Sequence, residues 1–133
     1  MDDKSIKKIL VIISKDSFND VYQGLTLANG ALMEGIKAEL FFTFNGLGAI
    51  NKQLPDSLKP SEQMNQAIVD QNLPLIDEYL DNFKAGGGKI FGCKLSMDML
   101  HVQPMKLRGD IDGIISIGEF YDRVETDSQI IFV

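Results

Sequence analysis

Apolar residues fall along the chain in two kinds of run. "KILVIIS" (8–14), "AELFFTF" (38–44), "KIFGC" (89–93), "GIISI" (113–117) and "QIIFV" (129–133) are short, nearly continuous and rich in β-branched and aromatic side chains. Runs of this kind predict strands buried on both faces, the condition of a parallel sheet covered by helices. The segments between them carry helical spacing. Asp20 predicts the cap of a helix that turns Val21, Leu25, Ala28, Leu32 and Ile36 inward, with Gly35 near its exit. In "NLPLIDEYLDNFKAGGG", Asn72 and Pro74 mark a start, and Leu75, Ile76, Tyr79, Leu80 and Phe83 form one stripe. The glycines 86–88 end it. A last short helix is expected over 119–126, between the fourth and fifth strands.

Strands alternating with helices imply right-handed crossovers and a doubly wound α/β sheet. With 133 residues, one domain over 1–133 is expected. The polar stretch 51–71, with Pro55 and Pro60, is long for a connection. It predicts a surface excursion with one short helix around 64–69, or a mobile cover over a site.

Charge removes some partners from the picture. Thirteen basic and nineteen acidic side chains give a net charge of −6, against the clustered positive field that a nucleic acid requires. No apolar run reaches the ~20 residues of a membrane-spanning helix. The opening "MDDKSIKKILVIIS" has an apolar stretch without a small-residue cleavage site, so it reads as a strand rather than a signal peptide. A single free thiol fits a reducing compartment, and a cytoplasmic location is expected.

The stretch "KIFGCKLSMDMLHV" (89–102) holds the only cysteine and the only histidine. Ligands of open parallel sheets gather at the carboxyl ends of the strands, and Cys93 lies at such an end. Ser96 predicts the cap of a short helix over 97–100, with Asp98 in its first turn. Unpaired amides at that helix start, together with Lys94, would stabilise a thiolate, and a nearby Asp98 would oppose them. The residues alone leave two roles open for Cys93, a reactive thiol or a small packed hydrophobe.

Other chemistries are poorly served. The "GGG" precedes a strand, whereas a phosphate-binding loop follows one. There is no C-x-x-C pair for dithiol redox work. His101 lies beyond the short helix with nothing to orient it as the base of a Cys-His hydrolase. Cys93, Met97, Met99 and His101 are soft ligands suited to copper(I), but Met97 and Met99 do not share a helix face. Neither a metal nor a cofactor is expected.

Three stretches carry a resemblance. "LFFTFNGL", "KIFGCKLSMDML" and "DIDGIISIGEFYD", in that order and spacing, resemble the DsrE/DsrF-like sulfur-relay proteins, closest to the DsrE-like subgroup called the "peroxiredoxin family". The resemblance runs from about Lys8 to Val133. It implies a flavodoxin-like three-layer sandwich with a five-stranded, mostly parallel sheet. It also implies homo- or hetero-oligomers and a cysteine that carries sulfane sulfur as a persulfide, with which Cys93 aligns. Thr43, Asn45 and Gly46 of the second-strand loop, and Lys94, Ser96, Met97 and His101 after the cysteine, would line its pocket. His101 stands where many relatives have glycine. No second cysteine is present, so a relay between thiols of one subunit is excluded. The expected function is therefore a sulfurtransferase or sulfur carrier, exchanging sulfur with donor and acceptor thiol proteins and assembled as a homotrimer or hexamer. The other reading is a non-catalytic oligomeric binding module, or a thiol redox or soft-metal sensor.

Overall fold

The structure, a computed structural model, describes residues 5–133. Five strands form one sheet: β1 (Lys8–Ile13), β2 (Lys37–Phe42), β3 (Lys89–Cys93), β4 (Gly113–Ile115) and β5 (Ser128–Phe132). Their order is β4-β3-β2-β1-β5, and every pairing is parallel. The helices are α1 (Phe18–Met33), α2 (Glu62–Gln71), α3 (Ile76–Ala85), α4 (Lys94–Met99) and α5 (Ile117–Asp122). A 3-10 segment, Phe44–Ile50, follows β2.

Strand order dictates which face each crossover covers. From β1 to β4 the chain always steps in the same direction, so right-handed crossovers lay their helices on one face. The step from β4 back to β5 runs the other way and carries α5 to the opposite face. The two apolar cores follow this division. Ile9, Val11, Ile13, Leu40, Phe42 and Ile90 pack under α1 and α3 in the larger one. Leu10, Phe41, Phe91, Cys93 and Ile115 pack with Phe120 of α5 in the smaller one.

Boundaries depart from the sequence pattern where local hydrogen bonding overrides it. Helix α1 is capped by Ser17, not Asp20: the Asp20 amide donates to Ser17 Oγ at 3.2 Å, and that hydroxyl donates back to Asp20 Oδ2 at 2.6 Å. The earlier start also buries Phe18. Gly35 does stand just past the exit, with φ of 79°. The fourth strand stops at Ile115 because Ser116 turns to cap α5, exchanging hydrogen bonds with Glu119. Segment 51–71 contains α2, capped by Ser61. Leu58 and Ile68 anchor the segment in the larger core.

An ion cluster closes the amino ends of the strands on the α5 side. Lys8 and Glu39 are both buried and pair at 3.0 Å. Lys8 Nζ also donates to the Arg123 carbonyl at 2.7 Å, and Arg123 forks onto both Glu39 oxygens. Arg123 caps the end of α5 and lies 4.5 Å over the Phe91 ring, so the cluster ties that helix to the sheet. Burial by itself raises Glu39, but hydrogen bonds from Arg123 and Lys8 outweigh it and hold the carboxyl below the usual range.

Candidate functional site

The sheet's carboxyl edge is built by the turns that leave β2 and β3. Strand β3 passes directly into α4, so Cys93 is both the last strand residue and the N-cap of the helix, with φ −81° and ψ 118°. The expected cap, Ser96, is displaced into the first turn. No loop separates strand from helix, and the capping position is already taken by the cysteine. The Cys93 side chain makes no capping hydrogen bond.

Cys93 is only 1% exposed. Its neighbours in the small core are Leu10, Phe41, Phe91, Ile115 and Phe120, with Ile12 and Val124 at the margin. The Phe120 ring stacks on Phe41 with centroids 4.8 Å apart, which fixes α5 over this cluster. The thiol is therefore packed in an apolar cluster covered by a two-turn helix.

Around it the expected site residues separate into groups. Ser96 is fully buried, and its Oγ has no hydrogen-bond partner. An unmade hydrogen bond of this kind costs about 1–3 kcal/mol, so it marks a place where a donor or acceptor is missing. Met97 turns to the other face and joins the larger core. Lys94 is exposed and its ammonium lies 3.4 Å from Asp98 Oδ2, so the expected opposition between these charges is a direct ion pair. It is a solvated pair one turn apart on α4, of little energetic weight.

The β2 turn adjoins because Phe42 pairs in register with Gly92, leaving Thr43 next along the strand beside Cys93. Thr43 is buried and its amide donates to the Ile13 carbonyl at 2.9 Å. Asn45 is exposed. Gly46 approaches β1 so closely that a Cβ there would lie 2.1 Å from the Ile13 carbonyl oxygen. Between them Phe44 takes a left-handed φ of 48° and stays exposed, a strained placement for a bulky residue. The sequence gives no signal for that strain, since the apolar run continues through Phe44. His101, also left-handed with φ 55°, lines a separate cleft that does not include Cys93.

The arrangement offers one nucleophile in an apolar cluster, one buried hydroxyl without a partner, and a helix that starts at the strand edge. Among the described residues no group of three or more His, Cys, Asp or Glu side chains is placed to hold a metal ion. No helix there is long and apolar enough to cross a membrane.

Comparison with known proteins adds the lineage. Residues 5–69 match the model of the DsrE/DsrF/DrsH-like family, a match that spans β1 to α2 and stops before Cys93. No curated protein matches the chain. Among solved structures, the crystal structure of the ychN protein from E. coli superposes with a TM-score of 0.70 at 16% identity, covering 96% of this chain and 100% of that one. MTH1491 from Methanobacterium thermoautotrophicum, described as a protein of unknown function, gives 0.69 at 12% identity, covering 95% and 98%. At such identities these two establish the fold. Over residues 5–69, within a fold shared along nearly its whole length, the chain is similar to the DsrE/DsrF/DrsH-like family.

Proposed function

We propose that the protein is a cytoplasmic sulfur carrier that holds sulfane sulfur as a persulfide on Cys93. The observation that carries this reading is the position of the chain's only thiol, at the carboxyl end of β3 and the start of α4, within an apolar cluster. In the loading step the Cys93 thiolate attacks the outer sulfur of a donor persulfide. A Cys93 Sγ–S bond forms, the donor S–S bond breaks, and the donor leaves as a thiolate. In the unloading step an acceptor thiolate attacks that outer sulfur and frees Cys93 Sγ. One sulfur atom moves and no external oxidant or reductant is consumed. A neighbouring cysteine would discharge the persulfide as a disulfide; the absence of a second thiol in the chain suits a carrier.

The Ser96 hydroxyl is the nearest unpartnered donor in sequence, and Thr43, Asn45, Gly46, Lys94 and Met97 shape the turns around the thiol. The working form is a homo-oligomer, a trimer or a dimer of trimers. Exposed Ile130 and Phe132 on edge strand β5, with Ile117 and Tyr121 of α5, support association. Light scattering at micromolar concentration should give a mass above that of one chain, and a monomer would remove this part.

Intact mass tests the chemistry. After incubation with polysulfide the wild type should gain increments of about 32 Da, one sulfur each, removable by dithiothreitol and absent in Cys93→Ser. The 1% exposure of Cys93 favours a second reading, in which the thiol is core filling and the protein is a non-catalytic oligomeric module. A wild type that stays unmodified by several sulfur donors, while its cysteine alkylates only after denaturation, selects that reading.

A further inference from the structure

A second site lies at the same edge of the sheet but on its other face. The segment after the 3-10 turn and the segment after α4 meet in a short antiparallel bridge, Asn51 opposite Leu107. The Lys52 amide donates to the Lys106 carbonyl at 2.8 Å, and the Arg108 amide to the Ile50 carbonyl at 2.8 Å. The bridge seats on the larger core through Ile50 and Leu107, whereas Cys93 belongs to the smaller one.

This backbone pairing sets Lys52 directly opposite Lys106. Like charges at opposed positions of antiparallel strands are destabilising. No carboxylate compensates them: the adjoining cleft, about 920 Å³, is lined by Asn51, both lysines, His101, Gln103 and Met105 among others, and by no acid. Neither lysine makes an ion pair within the described residues, although Lys8, Lys37, Lys59, Lys84 and Lys94 all do. Of the acids on the far side of Asn51, Asp81 and Asp110 both bind Arg108, and Asp77 lines that other cleft without entering this one. In a chain of net charge −6, an acid-free cleft with two free lysines departs from the surrounding surface.

Two further features converge there. Asn51 Oδ1 is buried and accepts no hydrogen bond. His101 is held by left-handed backbone at the cleft wall and presents an imidazole without a partner.

We propose that this cleft binds a small phosphate monoester that carries a free hydroxyl. The phosphate dianion bears a charge of about −1.5 to −2 near neutral pH and matches the two ammonium groups, relieving their repulsion. The ligand hydroxyl donates to Asn51 Oδ1, supplying the bond that the folded chain lacks. His101 closes the phosphate side as an N–H donor. The volume suits a sugar phosphate. This site is independent of the persulfide chemistry and stands or falls without it.

The single histidine makes the test direct, because its imidazole Hε1 proton gives one NMR signal with no other histidine to overlap it. Titration with millimolar ribose 5-phosphate should move that signal in a saturable way, and ribose should not. Inorganic phosphate should bind more weakly. Lys52→Gln/Lys106→Gln should weaken ribose 5-phosphate about tenfold or more, the scale of losing charge-assisted hydrogen bonds. Both lysines are exposed, so the variant should retain the fold. Asn51→Ala should abolish the preference for ribose 5-phosphate over inorganic phosphate. An unmoved histidine signal, an unweakened double-lysine variant, or malonate binding as tightly as ribose 5-phosphate would each overturn the proposal.

Discussion

Gly46 shows how a single residue fixes the turn beside the thiol. A methyl group there would meet the Ile13 carbonyl oxygen at 2.1 Å, backbone against side chain, so the β2 turn or β1 must shift to admit it. Gly46→Ala is expected to cost about 3 kcal/mol, near the upper end for overpacking, as measured by urea unfolding. A loss below 1 kcal/mol would mean that the turn is free to move. The family resemblance points to this loop, but the reason for glycine depends on a carbonyl in another strand and is invisible locally. Cys93 is similar. Its place at a strand end is legible from the apolar run before it, while its burial is not, because the cover is a distant helix. Ser96 misled for a simpler reason: a serine ahead of an apolar run reads as a cap, yet the strand flows straight into the helix one turn earlier.

Among elements, α5 decides what can reach the thiol. It is six residues long, is held at its start by the Ser116–Glu119 pair, and packs down through Phe120. Its other apolar residues, Ile117 and Tyr121, face outward. A short helix with one buried anchor opens locally at lower free energy than the whole fold unfolds. Phe120→Ala should therefore speed native-state alkylation of Cys93 by iodoacetamide at least tenfold while the larger core stays intact, as followed by mass and circular dichroism. An unchanged rate would mean that access runs by another path. The strands are readable from their continuous apolar runs and the long amphipathic helices from their periodic spacing. The sequence pattern puts a helix between β4 and β5 but over 119–126 rather than Ile117–Asp122, since the capping serine sits within an apolar run that continues the strand.

For the molecule as a whole, the ion cluster of Lys8, Glu39 and Arg123 links β1, β2 and α5. A carboxyl held lower in the folded than in the unfolded chain contributes stability above the unfolded value and loses it as pH falls through the folded one. For Glu39 that contribution is present above the ordinary value of 4.5 and fades below it. Glu39→Gln should thus be less stable than wild type by about 3 kcal/mol at pH 7, since it strands two cations at a buried site. The difference should shrink as the pH drops below the ordinary glutamate value. Urea midpoints across the pH range check this, and a pH-independent gap would sink it. The sequence carried no hint of the cluster, because its members come from three distant places in the chain. The parallel, two-sided sheet was legible in its continuous apolar strands, but the unequal covering of its faces depends on strand order.

The pairing of β1 with β5 has a consequence for how the protein is made. Residues 8–12 align with residues 128–132, so β1 has one edge bare until β5 has been synthesised. Strands β1 to β4 and the helices on the larger core can assemble from chain already synthesised. Until β5 arrives, the main-chain groups of β1 lie open along a stretch that includes Leu10 and Ile12, a template for pairing with another nascent chain. Slow or interrupted translation between β4 and β5 would prolong that interval. Chains released without residues 128–132 should be recovered as aggregate rather than as a smaller soluble domain.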